Sequence, residues 1–165
     1  MSGIFADEQR DPHLMTSAVF SIAPADGRIT AFGIAIDADI KAEDLPALFS
    51  KTCQAANIEG RPVSCVFASA TGTVDNMTAE LTLRFENELL VSAFITLTPP
   101  RFRNLSGDDF YNSADDRQRV HARWLRSIGI AATPASFPWG EVGIARDRSE
   151  NVHIYVHTRN NTWAR

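Results

Sequence analysis

The histidines are the side chains of this sequence best placed for metal or acid–base chemistry. They are His13, His121, His153 and His157. His153 and His157 have the spacing of two zinc ligands on one helical turn. However, the alternation around them predicts a strand, on which they would lie about 13 Å apart. We therefore predict no metal site, and expect His153, Tyr155 and His157 to form a row on one strand face.

Nucleophilic and cofactor chemistry is equally unsupported by the residue pattern. Cys53 falls on the apolar face of a predicted helix and Cys65 between apolar strand residues, which indicates two buried, unreactive thiols. The chain has no G-x-S-x-G elbow and no glycine-rich phosphate loop. Its paired carboxylates are Asp108-Asp109 and Asp115-Asp116, and helix capping explains the second pair. A carboxylate dyad is the less favoured alternative, so we predict no catalytic residue and no cofactor.

The elements that must position these side chains begin with two strands and a helix. Ala18–Ala23 and Ile29–Ile36 are apolar, and Asp26-Gly27 between them is typical of a turn. A first helix is predicted over Leu45–Ala56, because Asp44 can cap it and apolar or small side chains recur at helical spacing. Those side chains are Leu45, Leu48, Phe49, Thr52, Cys53 and Ala56.

A sheet is predicted from the segments that follow. Pro62–Ala68 reads as a strand, and strict alternation over residues 78–85 predicts another with one buried face. After a turn at residues 86–88, residues 89–97 are apolar on both sides, which favours a central position in the sheet. The stretches around Val142 and over Val152–Val156 predict two final strands.

A second helix is predicted to begin after Ser113, which with Asp116 fits an acidic capping box. Asp115 and Asp116 would complement the positive end of the helix dipole. The apolar stripe consists of Val120, Trp124, Leu125 and Ile128, and Gly129 is expected to end the helix.

The element order is therefore ββα-βββ-α-ββ. Short turns between consecutive strands favour antiparallel pairing. We predict a single α+β domain over residues 1–165, a mainly antiparallel sheet with two helices packed on it. Residues 1–15 and 159–165 are expected to be loosely ordered.

Charge is distributed unevenly along the chain. The formal net charge of −4 divides into −7 over residues 1–100 and +3 over residues 101–165. An acidic chain lacks the basic stripe of a nucleic-acid-binding protein. The acidic half is predicted to face a basic protein partner.

No apolar run is long enough to span a membrane, and no secretory leader is visible, so a cytoplasmic location is expected.

Candidate partner-binding residues are the acids of the predicted loops and of the exposed strand face. They are Asp37, Asp39, Glu43, Asp44, Glu80, Glu86 and Glu88.

One segment carries a resemblance. The helix contains Asp115-Asp116-Arg117, His121 and Trp124-Leu125, and is followed by Phe137-Pro138-Trp139-Gly140-Glu141-Val142. Asp147-Arg148-Ser149 and then Val152, Ile154 and Tyr155 complete the pattern. It resembles small bacterial immunity proteins, which are encoded beside polymorphic or contact-delivered toxins.

This resemblance implies binding and neutralisation of a cognate toxin rather than catalysis, and it transfers no residue role. We therefore expect a non-enzymatic protein that occludes a toxin. A secretion chaperone for an effector protein and an enzyme of unknown reaction are the alternatives. The sequence leaves open whether the chain forms a homodimer.

Overall fold

The computed structural model describes residues 20–162, which form a single α+β domain with antiparallel strands, as predicted. The strands make two sheets, whereas one was predicted. The predictions for residues 1–15, including His13, and for residues 163–165 lie outside this range. The strands are β1 (Ser21–Ile22), β2 (Ile29–Ala31), β3 (Ile34–Ile36), β4 (Ser50–Ile58), β5 (Arg61–Val74), β6 (Met77–Glu86), β7 (Leu89–Thr98), β8 (Ala135–Phe137), β9 (Gly140–Arg146) and β10 (Val152–Thr158). The helices are α1 (Gly107–Asn112) and α2 (Ala114–Ser127), with 3-10 turns at Ala42–Asp44 and Pro100–Phe102.

The larger sheet has seven strands in the order β4-β5-β6-β7-β10-β9-β8. β7 is the middle strand, which confirms the prediction made from its apolar sequence. The smaller sheet consists of β1, β2 and β3. In the larger sheet every strand pair is antiparallel.

Tight turns explain why β4 to β7 form a continuous meander. In each connection two residues with positive φ separate the paired strand ends, as in type I′ turns, whose twist matches that of the strands. The turn residues are Glu59-Gly60, Asp75-Asn76 and Asn87-Glu88. Short connections of this kind fix the pairing register of all four strands.

The core lies on one face of the larger sheet. α2 packs against β7, β9 and β10 on this face, and the smaller sheet shares the same buried cluster. The rings of Phe20 and Trp124 pack edge-to-face with their centroids 5.7 Å apart, which joins the smaller sheet to α2. Leu81 and Leu83 are fully buried, as the alternation over residues 78–85 predicted.

The opposite face of the larger sheet, here called the open face, consists mainly of half-buried and exposed side chains. On this face Thr82, Phe94 and Tyr155 lie side by side across β6, β7 and β10. Phe67 of β5 lies one row away.

The predicted first helix is wrong. Residues 50–58 form β4, and residues 45–49 form an irregular turn with Leu48 exposed. Gly60 is the second residue of the type I′ turn that joins β4 to β5 in a hairpin. Cys53 consequently lies exposed on an edge strand rather than buried on a helix, whereas Cys65 is buried as predicted.

Two smaller predictions are also corrected. Residues 29–36 are not one strand, because Phe32 and Gly33 adopt positive φ and divide them into the β2–β3 hairpin. The capping box is absent from α2, since the Ser113 hydroxyl donates to the Phe110 carbonyl at 2.9 Å and accepts from Arg117 Nε at 3.0 Å. Gly129 does end the helix, with φ of 96°.

Candidate protein-binding site

Two of the predicted partner-binding acids meet at one hollow in the surface. The hollow, here called the acidic hollow, has a volume of about 600 Å³. It is lined by Lys41, Ala42, Glu43, Ser64, Val66, Phe85, Asn87 and Glu88. Glu43 and Glu88 lie far apart in the sequence and are brought together only by the fold.

Local structure holds both acids at the rim. Glu43 lies in the 3-10 turn after β3, with Asp44 exposed beside it. Glu88 is the second residue of the β6–β7 turn. The neighbouring Asn87 anchors this turn to β5, since its backbone N–H donates to the Ser64 carbonyl at 2.9 Å and its Oδ1 accepts from the Ser64 N–H at 3.2 Å. The rim is therefore supported from two strands.

The floor of the acidic hollow is apolar. Val66 is half-buried and Phe85 is fully buried beneath it. An apolar centre with a charged rim is the arrangement found at protein–protein interfaces.

The other predicted acids lie elsewhere. The Asp37 carboxylate accepts from the Asp39 N–H at 2.9 Å, and Asp39 pairs with Arg159 at 2.6 Å. Glu80 is exposed on the open face, towards the other end of β6. Glu86, expected on an exposed turn, is instead the buried last residue of β6 and pairs with Arg84 at 2.5 Å.

A polar row crosses the open face. Strand register places Phe67, Arg84, Ser92, His157 and Glu141 side by side across β5, β6, β7, β10 and β9. A hydrogen-bond network in this row, formed with Asn161, joins three elements. Ser92 Oγ lies 2.8 Å from His157 Nδ1, and Asn161 Nδ2 donates to Ser92 Oγ at 2.8 Å.

This network determines which nitrogen of His157 carries the proton. Asn161 Nδ2 also lies 3.2 Å from Nδ1, and the Ser92 hydroxyl is free to donate to the same nitrogen. Two donors aimed at Nδ1 favour the neutral tautomer protonated at Nε2. Burial lowers the pKa of His157, more than the nearby Glu141 carboxylate raises it, which favours the same neutral state.

Tyr155 lies beside His157 on the same face of β10. Its ring stacks on His157 with centroids 4.6 Å apart, and its hydroxyl donates to Glu141 Oε1 at 2.7 Å. Burial, followed by this hydrogen bond, raises the pKa of Tyr155 to about 12. Gly143 permits this placement, because a Cβ there would lie 2.3 Å from the tyrosine oxygen.

A serine hydrogen-bonded to a histidine raises the question of nucleophilic chemistry. Ser92 is only 1% exposed, so its oxygen is shielded from a substrate while it orients the imidazole. The network is therefore a device that fixes His157 on the open face. Sequence reasoning placed His153, Tyr155 and His157 on one face correctly but missed Ser92 and Asn161, although Ser92 stands out as a polar residue inside an apolar run.

His121 is buried within the core. Its Nδ1 lies 2.6 Å from the Arg117 carbonyl, and its Nε2 accepts from the Leu97 N–H at 3.0 Å. The imidazole thus satisfies a backbone donor near the end of β7, where pairing with β10 has stopped. Burial lowers the pKa of His121, so the neutral ring that can accept this bond is favoured.

Within residues 20–162, no group of three or more His, Cys, Asp or Glu side chains could hold a metal ion. No helix in this range is long and apolar enough to cross a membrane. Comparison with protein-family models, curated proteins and solved structures found no match to this chain.

Proposed function

We propose that this chain is an immunity-type protein that binds a cognate bacterial toxin and neutralises it by occlusion, with a basic segment of the toxin docked in the acidic hollow. The observation that carries the proposal is the meeting of Glu43 and Glu88 above an apolar floor. The resemblance of the segment around α2 to immunity proteins points to the same class.

The hollow combines two properties that protein recognition requires. The apolar floor of Val66 and Phe85 offers area whose removal from water favours association. Glu43, Asp44 and Glu88 offer charge that attracts a basic partner before contact, and such charges act mainly on the association rate. Lys41 on the same rim provides a repulsive contact that would discriminate among partners.

The direct test is a cell challenge with the gene encoded beside this chain. We expect that gene to arrest growth when expressed alone, and growth to resume when the two are co-expressed. The two purified chains are expected to elute as one complex from a size-exclusion column. A harmless neighbouring gene, or rescue of growth without a complex, would overturn the proposal.

A matched pair of variants locates the binding surface within the same assay. Glu43→Lys with Glu88→Lys reverses the rim of the acidic hollow, whereas Glu80→Lys reverses another exposed acid, on the open face. We expect the double variant to lose protection and Glu80→Lys to retain it. The reverse result would place the toxin on the open face. A partner bound only in its unfolded state would instead support the secretion chaperone.

A further inference from the structure

The two edges of the larger sheet differ in how they are protected. β8 has three residues, with Pro134 just before it and Pro138 directly after it. β4 at the other edge has nine residues, pairs with β5 in an uninterrupted register, and contains neither proline nor bulge. Within residues 20–162, no strand, helix or loop is hydrogen-bonded along the outer side of β4.

An edge of this kind is a template for another strand. Proteins usually blunt such edges with short strands, prolines, bulges, charged side chains or a covering helix. Of these devices β4 has a single charged residue, Lys51. Seven of its nine residues are exposed, and the other two are half-buried.

We propose that β4 pairs antiparallel with β4 of a second copy of this chain, about a two-fold axis that passes midway between the two facing Gln54 residues. The two seven-stranded sheets then become one continuous antiparallel sheet. A two-fold interface is the commonest form of protein self-association, and here it satisfies the backbone groups along both edges.

The register follows from the pleat and from the length of the strand. Facing residues of an antiparallel pair point to the same side of the sheet. A two-fold axis normal to the sheet therefore lies midway between a residue and its own copy, and it keeps both cores on one side. Gln54 is the middle of Ser50–Ile58, so this centre pairs all nine residues. Any other residue as centre shortens the overlap.

Charge and size are complementary in this register. Lys51 faces Asn57 of the second copy, and the Glu59 carboxylate of that copy lies in the turn two residues further on, on the side of the Lys51 ammonium group. Thr52 faces Ala56 and Cys53 faces Ala55, so small side chains meet across the pair. Gln54 faces itself, and its amide can both donate and accept. This charge complementarity favours a second copy over the basic partner proposed above, which would meet Lys51 with like charge.

Residue 54 provides the decisive test, because a charge placed there in one copy faces the same charge in the second copy. Light scattering on a size-exclusion column is expected to give twice the monomer mass of 18.2 kDa. Gln54→Lys and Gln54→Glu should each weaken dimerisation at least tenfold, and an equimolar mixture of the two should restore the dimer. Thr71→Lys, on the same open face but outside β4–β5 pairing, is the matched control and should leave the dimer intact.

Crosslinking tests the register independently. Cys53 of the two copies would be diagonal neighbours, too far apart for a disulfide but within reach of a short bismaleimide. We expect the reagent to link wild-type chains and not Cys53→Ser, while Cys65 stays buried and unreactive. A monomer at high concentration, or a dimer insensitive to both charges at residue 54, overturns the proposal. Neither result bears on toxin binding in the acidic hollow, whose test uses other residues.

Discussion

β4 and β7 are strands of similar length in opposite environments. β7 lies between β6 and β10, and six of its ten residues are buried. β4 has one neighbour, and none of its residues is fully buried. The acidic hollow lies at the β4 side of the molecule, since Ser64 and Val66 of β5 line it. The molecule thus divides into two regions. The central region, which consists of β6, β7, β10 and the core beneath them, stabilises the fold. The end region, which consists of β4 and the acidic hollow, is available for contacts.

This contrast shows how one sheet can separate stability from recognition. Apolar burial in the central region supplies most of the driving force for folding. Changes in the central region should therefore alter unfolding and leave binding intact, and changes in the end region should do the reverse.

The largest expected effect is that of Leu83→Ala in β6. Leu83 is fully buried beside Ala68 and Ala93, so its truncation leaves a cavity and should lower the free energy of unfolding by about 2–5 kcal/mol. Thr52→Ala in β4 is the matched control and should change it by less than about 0.5 kcal/mol. Urea denaturation measures both. Equal effects would show that the two regions are not distinct.

The sequence predicted the central region because burial leaves a pattern. Alternation in β6 and the doubly apolar run of β7 have direct physical causes, and both strands appear as expected. β4 buries no face, so nothing selects a period of two, and its mixture of small and polar residues matched a helical spacing by chance. Of the site, sequence alone named Glu43 and Glu88, but their meeting depends on tertiary structure.

The next effect is expected at His121. His121→Leu removes the acceptor of the buried Leu97 N–H, so the free energy of unfolding should fall by about 1–3 kcal/mol. The wild type should also be less stable in acid. An unfolded histidine titrates near 6.5 and burial holds the folded pKa lower, so the unfolded chain binds more protons as pH falls below about 6.5.

Stability should therefore be fully present above about pH 6.5 and decline below it. His121→Leu should flatten this decline without abolishing it, because burial also lowers the pKa values of His153 and His157. Denaturant titrations at a series of pH values measure the slope. An unchanged slope in His121→Leu would contradict the assignment of a buried, neutral ring.

A smaller effect is expected for Ser92→Ala on the open face. Loss of the hydroxyl removes hydrogen bonds to His157 and Asn161 and should lower the free energy of unfolding by about 1 kcal/mol. Nitrogen chemical shifts of the imidazole provide the specific readout. They should show an unprotonated Nδ1 in the wild type, and a protonated Nδ1 there would refute the network as described.

The smallest effect is expected for Asp115→Asn at the start of α2. Asp115 lies in the first helical turn and pairs with Arg146 at 2.6 Å, but its side chain is largely exposed. Exposed ion pairs and helix-dipole contacts each contribute about 1 kcal/mol or less. The loss should shrink further in high salt. A larger, salt-independent loss would mean that this contact belongs to the central region.

The association rate with the toxin tests the central claim most directly, because it reports on the acidic hollow without disturbing the core. Stopped-flow mixing of toxin with Glu43→Lys/Glu88→Lys should give association at least tenfold slower than wild type at low salt. The difference should shrink at physiological ionic strength, where the screening length is about 8 Å. Glu80→Lys should associate much faster than the double variant. Equal rates for both variants, with unfolding unchanged, would contradict the assignment of the acidic hollow as the docking surface.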